Sequence, residues 1–294
     1  MKKTVILLST LLMALALISC QDAGTSGTPP LPDASSSSSA NTALMSYSNL
    51  KDDASKVEVR QFLESAGINT GYVDSLFAAV DDYNTLDASL SQNIGFVEAS
   101  LQDPEYSGIE WPGDRDYYDA NCRVTAFALM RDLITAVQPQ TADSFAAYDQ
   151  EIIGQNPWYQ LNDAEQGNFF ALIDAVAVEP TTDFNVVREG FLKEWQTRGI
   201  TFSSGPVSLI SVIVHSELDN IAFIGHCGVL VDNGTQLLFL EKYGPAQPYQ
   251  ATLLKDRGEL KTYLMSRFQN FYTEGVSAKP FLLENDSVFP GQVG

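Results

Sequence analysis

The sequence predicts an α+β fold, with a helical N-terminal two thirds packed on a C-terminal antiparallel sheet. Two observations point to it. From Asp53 to Thr197 apolar residues recur three or four apart, the spacing of one face of a helix. After Thr201 they gather into β-branched and apolar runs of strand length, two of them joined through Asp232-Asn233-Gly234-Thr235, a hairpin signal. Helices followed by strands, without alternation of the two, define the class.

The amino terminus gives the address. Lys2 and Lys3 precede a mostly apolar run from Val5 to Ile18, which ends in Leu17-Ile18-Ser19-Cys20. A charged start, a short apolar core and a small residue at the cut describe a secretory signal over residues 1–19; a membrane span needs about 20 apolar residues. The small residue before Cys20 resembles the bacterial lipobox, which implies a lipidated Cys20 at the start of an exported protein held on a bacterial cell membrane. From Cys20 to Ser46 the chain is mostly Ser, Thr, Pro and Ala, including Ser35 to Ser39 and Pro29-Pro30. Such a stretch buries too little to offset the entropy of ordering it and reads as a disordered tether. Residues 47–294 are then one α+β domain, with no second linker and no internal repeat.

The chain carries 17 Lys+Arg against 37 Asp+Glu, a net charge of −20. Without Lys2 and Lys3 the balance is 15 against 37. That charge disfavours nucleic acid and anionic headgroups as partners, so contact with the membrane falls to the N-terminal lipid.

Within the domain, Asp53 to Ala66 places Val57, Val59, Phe62 and Leu63 at helical spacing, and Asn69 to Tyr83 places Val73, Leu76, Phe77 and Val80 on one face. A helix bearing Cys122 runs from Asp119 to Val137, followed by helices over Asn162 to Val176 and Asn185 to Thr197. The strands are Val207 to Val214, Ile221 to Val231 and Gln236 to Tyr243, and a last helix spans Asp256 to Phe271.

Asp119 or Asn121 is a good N-cap for the cysteine helix, and Pro139 closes its far end. Cys122, Ala126, Leu129, Met130, Leu133 and Val137 fall on one face, so the thiol sits in the first turn of an inward stripe. There the free N–H groups and the helix dipole favour thiolate over thiol, which a nucleophile needs, and the same N–H groups suit an oxyanion. A buried cysteine that merely fills space accounts for the position equally well.

The hairpin adds two partners. A two-residue Asn233-Gly234 turn of type I′ sets Leu230 opposite Leu237 and His226 opposite Glu241. Opposed residues share a sheet face, so the carboxylate bonds one ring nitrogen, fixes the tautomer and leaves the other nitrogen for a thiol. A purely structural His–Glu pair, or a longer loop with another register, remains open at this point.

Cys227 supplies a rival. With Cys20 lipidated the domain holds two cysteines in an exported setting, where a Cys122–Cys227 disulfide is a natural use for them. Neighbours on a strand point to opposite faces, so His226 facing Cys122 excludes Cys227 from it. Zinc chelation has no suitable spacing among His215, His226 and the cysteines. His215 reads as a solvated strand end. Trp111, Tyr117 and Tyr118 either line a substrate groove or pack beneath a loop. No Gly-rich phosphate loop, HExxH or GxSxG is present, and no cofactor is expected.

Tyr47-Ser48-Asn49-Leu50, Asn121-Cys122-Arg123, His226 with Gly228-Val229-Leu230, Phe239-Leu240-Glu241-Lys242 and Pro248-Tyr249-Gln250 resemble the recurring blocks of a bacterial lipoprotein family catalogued as a domain of unknown function. Separately, cysteine at a helix start, histidine on a strand and an acidic residue on the next strand resemble the papain-like and transglutaminase-like cysteine enzymes, a likeness of three positions. It implies Cys122 as nucleophile, His226 as base and Glu241 as orienting residue, although asparagine or aspartate is commoner in the third place. The expectation is a lipid-anchored cell-envelope cysteine hydrolase or acyl-transfer enzyme, a cysteine peptidase, amidase or acyltransferase. Its substrate would be an amide, of peptide or peptidoglycan type. The alternative is a non-catalytic envelope lipoprotein, either a binding module or an inactive relative of such enzymes.

Overall fold

A computed structural model of the chain describes residues 44–86, 95–101, 106 and 115–291. In chain order its first elements are β1 (Leu44–Ser48), α1 (Asp53–Ser65), α2 (Thr70–Asn84), β2 (Val97–Ser100), α3 (Cys122–Met130) and β3 (Ile134–Thr135). Next come α4 (Ala147–Gln155), α5 (Asp163–Ile173), β4 (Val176–Ala177), α6 (Phe184–Arg198) and β5 (Thr201–Phe202). The last are β6 (Val207–Ser216), β7 (Ile221–Asp232), β8 (Leu237–Lys242), β9 (Tyr249–Leu254), α7 (Arg257–Phe268), β10 (Phe281–Glu284) and β11 (Ser287–Val288).

Most helices begin where the sequence supplies a side-chain cap. Asp52, Asn69, Asn121, Asp183 and Asp256 each accept a first-turn N–H, and Asn162 with Glu165 closes a capping box on α5. Helix α4 lacks such a cap, and it is the helix the sequence pattern did not reveal.

This is a mixed α/β fold: among the described residues, seven helices and a nine-stranded antiparallel sheet. The sheet order is β11-β10-β6-β7-β8-β9-β1-β2, with β4 paired to β7, while β3 and β5 form a separate pair. The expected division into helices and then strands holds only in part, because β1 and β2 come from the amino-terminal side and β10 and β11 from the far end. Strand β1 pairs with β9 through Ser46–Leu253 and buries Met45, so Leu44, Met45 and Ser46, read as tether, belong to the sheet. The cysteine helix stops at Met130, short of the expected Val137. Ile134 and Thr135 pair with Phe202 and Thr201, and Val137 is 79 % exposed. Three β-branched residues in four favour a strand over another helical turn.

Alternation along the central strands divides two cores. Val229, Val231, Leu238 and Leu240 join α3 in one, and Leu230, Leu237, Phe239 and Val212 join α7 in the other. All residues of α3 except Arg123 are buried, so this is a central helix covered on every side.

The hairpin register differs from the expected one. Asp232 faces Leu237 and Val229 faces Leu240, a shift of two positions. Asn233 does not sit inside the turn; its Oδ1 accepts the N–H groups of Thr235 and Gln236, each at 2.9 Å. Gly234, at φ 84°, instead takes the first central position, which type II′ turns reserve for glycine. A shift by an even number keeps every side chain on its face. On the other edge of β7 a bulge intervenes: Val212 faces His226 and Ile213 faces Ile224, leaving Gly225 as the extra residue. Among the described residues no helix is long and apolar enough to cross a membrane.

Candidate active site

Asn121 anchors the start of α3 in two directions. Its Oδ1 accepts Val124 N–H at 2.9 Å and its Nδ2 donates to Asp149 Oδ1 on α4 at 2.7 Å. Arg123 grips the same carboxylate with Nε at 3.0 Å and Nη2 at 2.5 Å, a two-pronged pair that fixes the helix start against α4. On the other side, Asp119 Oδ2 accepts Lys242 Nζ at 2.6 Å and Ala246 N–H at 2.9 Å. Lys242 is fully buried, donates also to the Gln247 carbonyl, and lies 4.0 Å from the Tyr83 ring centroid. The residues flanking Cys122 are thus tied to α4 and to β8. Thr125 N–H is taken by the Asn121 carbonyl. The N–H groups of Cys122 and Arg123 have no partner among the described residues.

The Cys122 thiol is 8 % exposed. Cys227 and His226 both interact with it, and both cysteines are free. A hydrogen bond from Cys227, against the opposing effect of burial, then the charges of His226 and Arg123, hold Cys122 well below the ordinary thiol range. The shared proton and burial push Cys227 well above it, so the two thiols titrate as one coupled pair.

His226 stacks on Phe268 of α7, centroids 5.1 Å apart, and its Nε2 lies 2.5 Å from Glu241 Oε2. That leaves Nδ1 for Cys122. Burial works against the imidazolium, but the Cys122 and Glu241 charges outweigh it and raise the His226 pKa. Glu241 is buried too. Arg267 donates to its Oε2 at 2.8 Å and Tyr263 to its Oε1 at 2.5 Å. Against the burial cost, Arg267 and His226 hold the carboxyl down at about 2. Behind Tyr263 a buried chain of hydrogen bonds continues through Gln250 and Tyr106 to Asn49.

The structure therefore brings Cys122, His226 and Glu241 together. The supposed exclusion of Cys227 fails, although alternation holds: Cys227 lies in the core on the α3 side while His226 packs on α7. The β7–β8 register ends at Val229–Leu240, so His226 and Cys227 lie beyond the paired stretch, and both interact with Cys122. His215 is buried rather than solvated and accepts Ala278 N–H at 3.0 Å. Tyr118 meets Tyr148 edge to face, both 40 % exposed, close to the start of α3; Tyr117 donates to Asp82. Cys20 and Trp111 lie outside the described residues. Tyr263, Arg267, Asp149 and the Asp119–Lys242 pair escaped the sequence reading. Only the helical spacing of Tyr263 and Arg267 could have signalled two donors on one face.

Among the described residues no group of three or more His, Cys, Asp or Glu side chains is placed to hold a metal ion. A surface hollow of about 490 Å³ lies at β1, the β8–β9 strands and the start of α7, lined by Met45, Glu98, Gln236 and Lys255 among others, and includes none of the site residues. The chemistry of Cys122 argues for the site more strongly than the size of that hollow argues for another.

Fold and site together define a mixed α/β protein with a buried cysteine–histidine–glutamate cluster. Residues 46–289 match the family model DUF4300, a domain of unknown function, and the chain belongs to that family. No curated protein and no solved structure matches the chain.

Proposed function

We propose that this protein is a lipid-anchored cell-envelope cysteine hydrolase or acyl-transfer enzyme of papain-like arrangement. Its substrates would be amides of peptide or peptidoglycan type. One observation carries the reading: a cysteine at a helix start, its pKa drawn down by its neighbours, lies beside an imidazole whose Nε2 is held 2.5 Å from a buried carboxylate. Cys122 attacks the carbonyl carbon, and the oxyanion forms against the N–H groups of Cys122 and Arg123. The His226 imidazolium gives its proton to the leaving nitrogen as the tetrahedral adduct collapses to a thioester. Water or an amine, deprotonated by His226, then attacks the thioester and releases Cys122. Glu241 holds the ring throughout. The lipid anchor rests on the lipobox-like segment ending at Cys20.

The alternative, a non-catalytic envelope lipoprotein, draws on burial: Cys122, His226 and Glu241 are 8, 2 and 1 % exposed. One experiment separates the two. The full chain and its His226→Ala variant are treated with p-nitrophenyl acetate from about pH 5 to pH 9, and acetyl groups are located by peptide mapping. The enzyme reading expects a Cys122 thioester at about pH 6, formed at least tenfold more slowly without His226. A Cys122 that reacts only near pH 8.5, the ordinary thiol range, and equally in both proteins, overturns it in favour of the non-catalytic reading.

A further inference from the structure

The proposed chemistry uses Cys122 and leaves Cys227 without a task. Cys227 lies in the core on the α3 side of β7, among Val229, Val231 and Leu209. Directly opposite it on β6 stands Ser211, whose hydroxyl is buried with no partner among the described residues. The wall behind Cys122 is therefore a thiol beside a hydroxyl, not a closed apolar surface. Cys122 opens α3, which shares this core with the Cys227 face of β7; the two thiols interact and neither is in a disulfide.

From this juxtaposition we infer that Cys122 and Cys227 form a redox pair, in which a peroxide converts the two thiols reversibly into a disulfide and removes the Cys122 sulfur from reaction. The Cys122 thiolate attacks one peroxide oxygen; an S–O bond forms, the O–O bond breaks, and hydroxide leaves. Sulfur is oxidised and peroxide reduced. The Cys227 sulfur then attacks the Cys122 sulfenic sulfur, forming the S–S bond. The S–O bond breaks and the departing hydroxyl takes the Cys227 proton as water. A disulfide holds its sulfurs about 2 Å apart, which side-chain movement of Cys122 and Cys227 toward each other supplies. A low thiolate pKa at the attacking sulfur and a resolving thiol beside it are the features that direct oxidation to a disulfide instead of to sulfinic acid. The oxidation stands independently of the acyl-transfer reading; only its consequence, a silenced nucleophile, rests on that reading.

The test uses the full chain carrying Cys20→Ser, so that the third cysteine takes no part. The protein is exposed to hydrogen peroxide, quenched with N-ethylmaleimide under unfolding conditions and mapped as peptides. The expected product joins the Cys122 and Cys227 peptides with the loss of two hydrogens, and dithiothreitol returns both thiols. In the added Cys227→Ser variant, Cys122 should pass instead to sulfenic and sulfinic acid. Sulfinic acid at Cys122 with Cys227 still alkylatable overturns the inference, as does recovery of both thiols unmodified. Because the readout is a covalent link, it distinguishes failure of the redox pair from failure of the acyl-transfer chemistry.

Discussion

His226 and Glu241 meet on a diagonal of the β7–β8 ladder, Nε2 2.5 Å from Oε2, and not across it. The paired stretch ends at Val229–Leu240, and that register extended by one step would set Glu241 opposite Gly228. Diagonal neighbours are about 7–8 Å apart at the backbone, a span that a histidine and a glutamate close between them. Gly228 makes the diagonal feasible. A Cβ there would come within 2.5 Å of the Phe239 ring and 2.8 Å of the Leu240 carbonyl.

Gly228→Ala therefore tests the diagonal. The ring can shift, but the Leu240 carbonyl is backbone, so β7 and β8 must separate. The expected cost is about 1–3 kcal/mol, typical of overpacking, read as a lower urea midpoint. Labelling of Cys122 at about pH 6 should slow as well, because the Glu241 side chain would no longer hold the ring. An unchanged midpoint would mean that the strands part freely there.

Glu241→Gln should act through pH. Glu241 is depressed to about 2 from an ordinary 4.5, so its contribution is present above about 4.5 and lost as pH falls toward 2. His226 is raised above its ordinary 6.5, so its contribution is fully present below about 6.5 and lost as pH rises through the folded value. Both are present together between about 4.5 and 6.5. Glutamine removes the anion from both linkages and leaves the partly buried Arg267 beside a neutral amide, a loss of about 3 kcal/mol. Urea unfolding of wild type and variant should differ most near pH 5.5 and converge toward pH 2. A difference that stays constant with pH would show that the carboxylate charge is not what holds the cluster.

Local chemistry explains which parts of this architecture were legible in sequence. The capped helices and the three long strands announced themselves, because Asn162, Asn121 and Asp256 stand where apolar periodicity begins. The Cys122–His226–Glu241 grouping was found through a register wrong by two, and it survived because an even shift preserves the face. Long-range partners were not legible. Arg267 reaches Glu241 across 26 positions and Lys242 reaches Asp119 across 123, and nothing local marks either pair. Strand β1 was hidden for a different reason: Leu44 to Ser46 continue a polar tract, and only pairing with β9 makes them sheet.

Asp174 marks a cost within the fold. It caps the C-terminal end of α5, where a negative charge opposes the helix dipole, and its Oδ1 has no partner among the described residues. Burial and the nearby Asp143 push its carboxyl up to about 6. A raised carboxyl pKa means that the fold binds this proton better than the unfolded chain. Ionisation therefore costs stability as pH rises from about 3.8 to 6, and the cost stays constant above that. Asp174→Asn should stabilise the fold at pH 7.5 by on the order of 1 kcal/mol after allowing for solvent around the group, read as a higher melting temperature. At pH 3.5 the gain should vanish. Equal gains at both pH values would assign the effect to packing and not to charge.

Lys242 and Asp119 form the tie whose loss should matter most to the site. Both are buried, the ion pair spans 2.6 Å, and Asp119, three residues before Cys122, also accepts Ala246 N–H. Asp119→Asn leaves an ammonium without its counter-ion among Tyr83 and Tyr249, and should cost about 3–5 kcal/mol. Lys242→Met alone strands a carboxylate and should cost a similar amount. The double variant should recover most of the loss, since a buried pair replaced by groups that need no counter-ion is often close to neutral. If the pair only stabilises, the double variant should also keep the wild-type rate of Cys122 labelling. If the Lys242 charge helps to hold the nearby thiolate, stability should return while the pH at which Cys122 reacts moves upward. Urea unfolding and labelling on the same four proteins read the two contributions separately, and simple additivity of the single losses would show that the two residues are not energetically coupled.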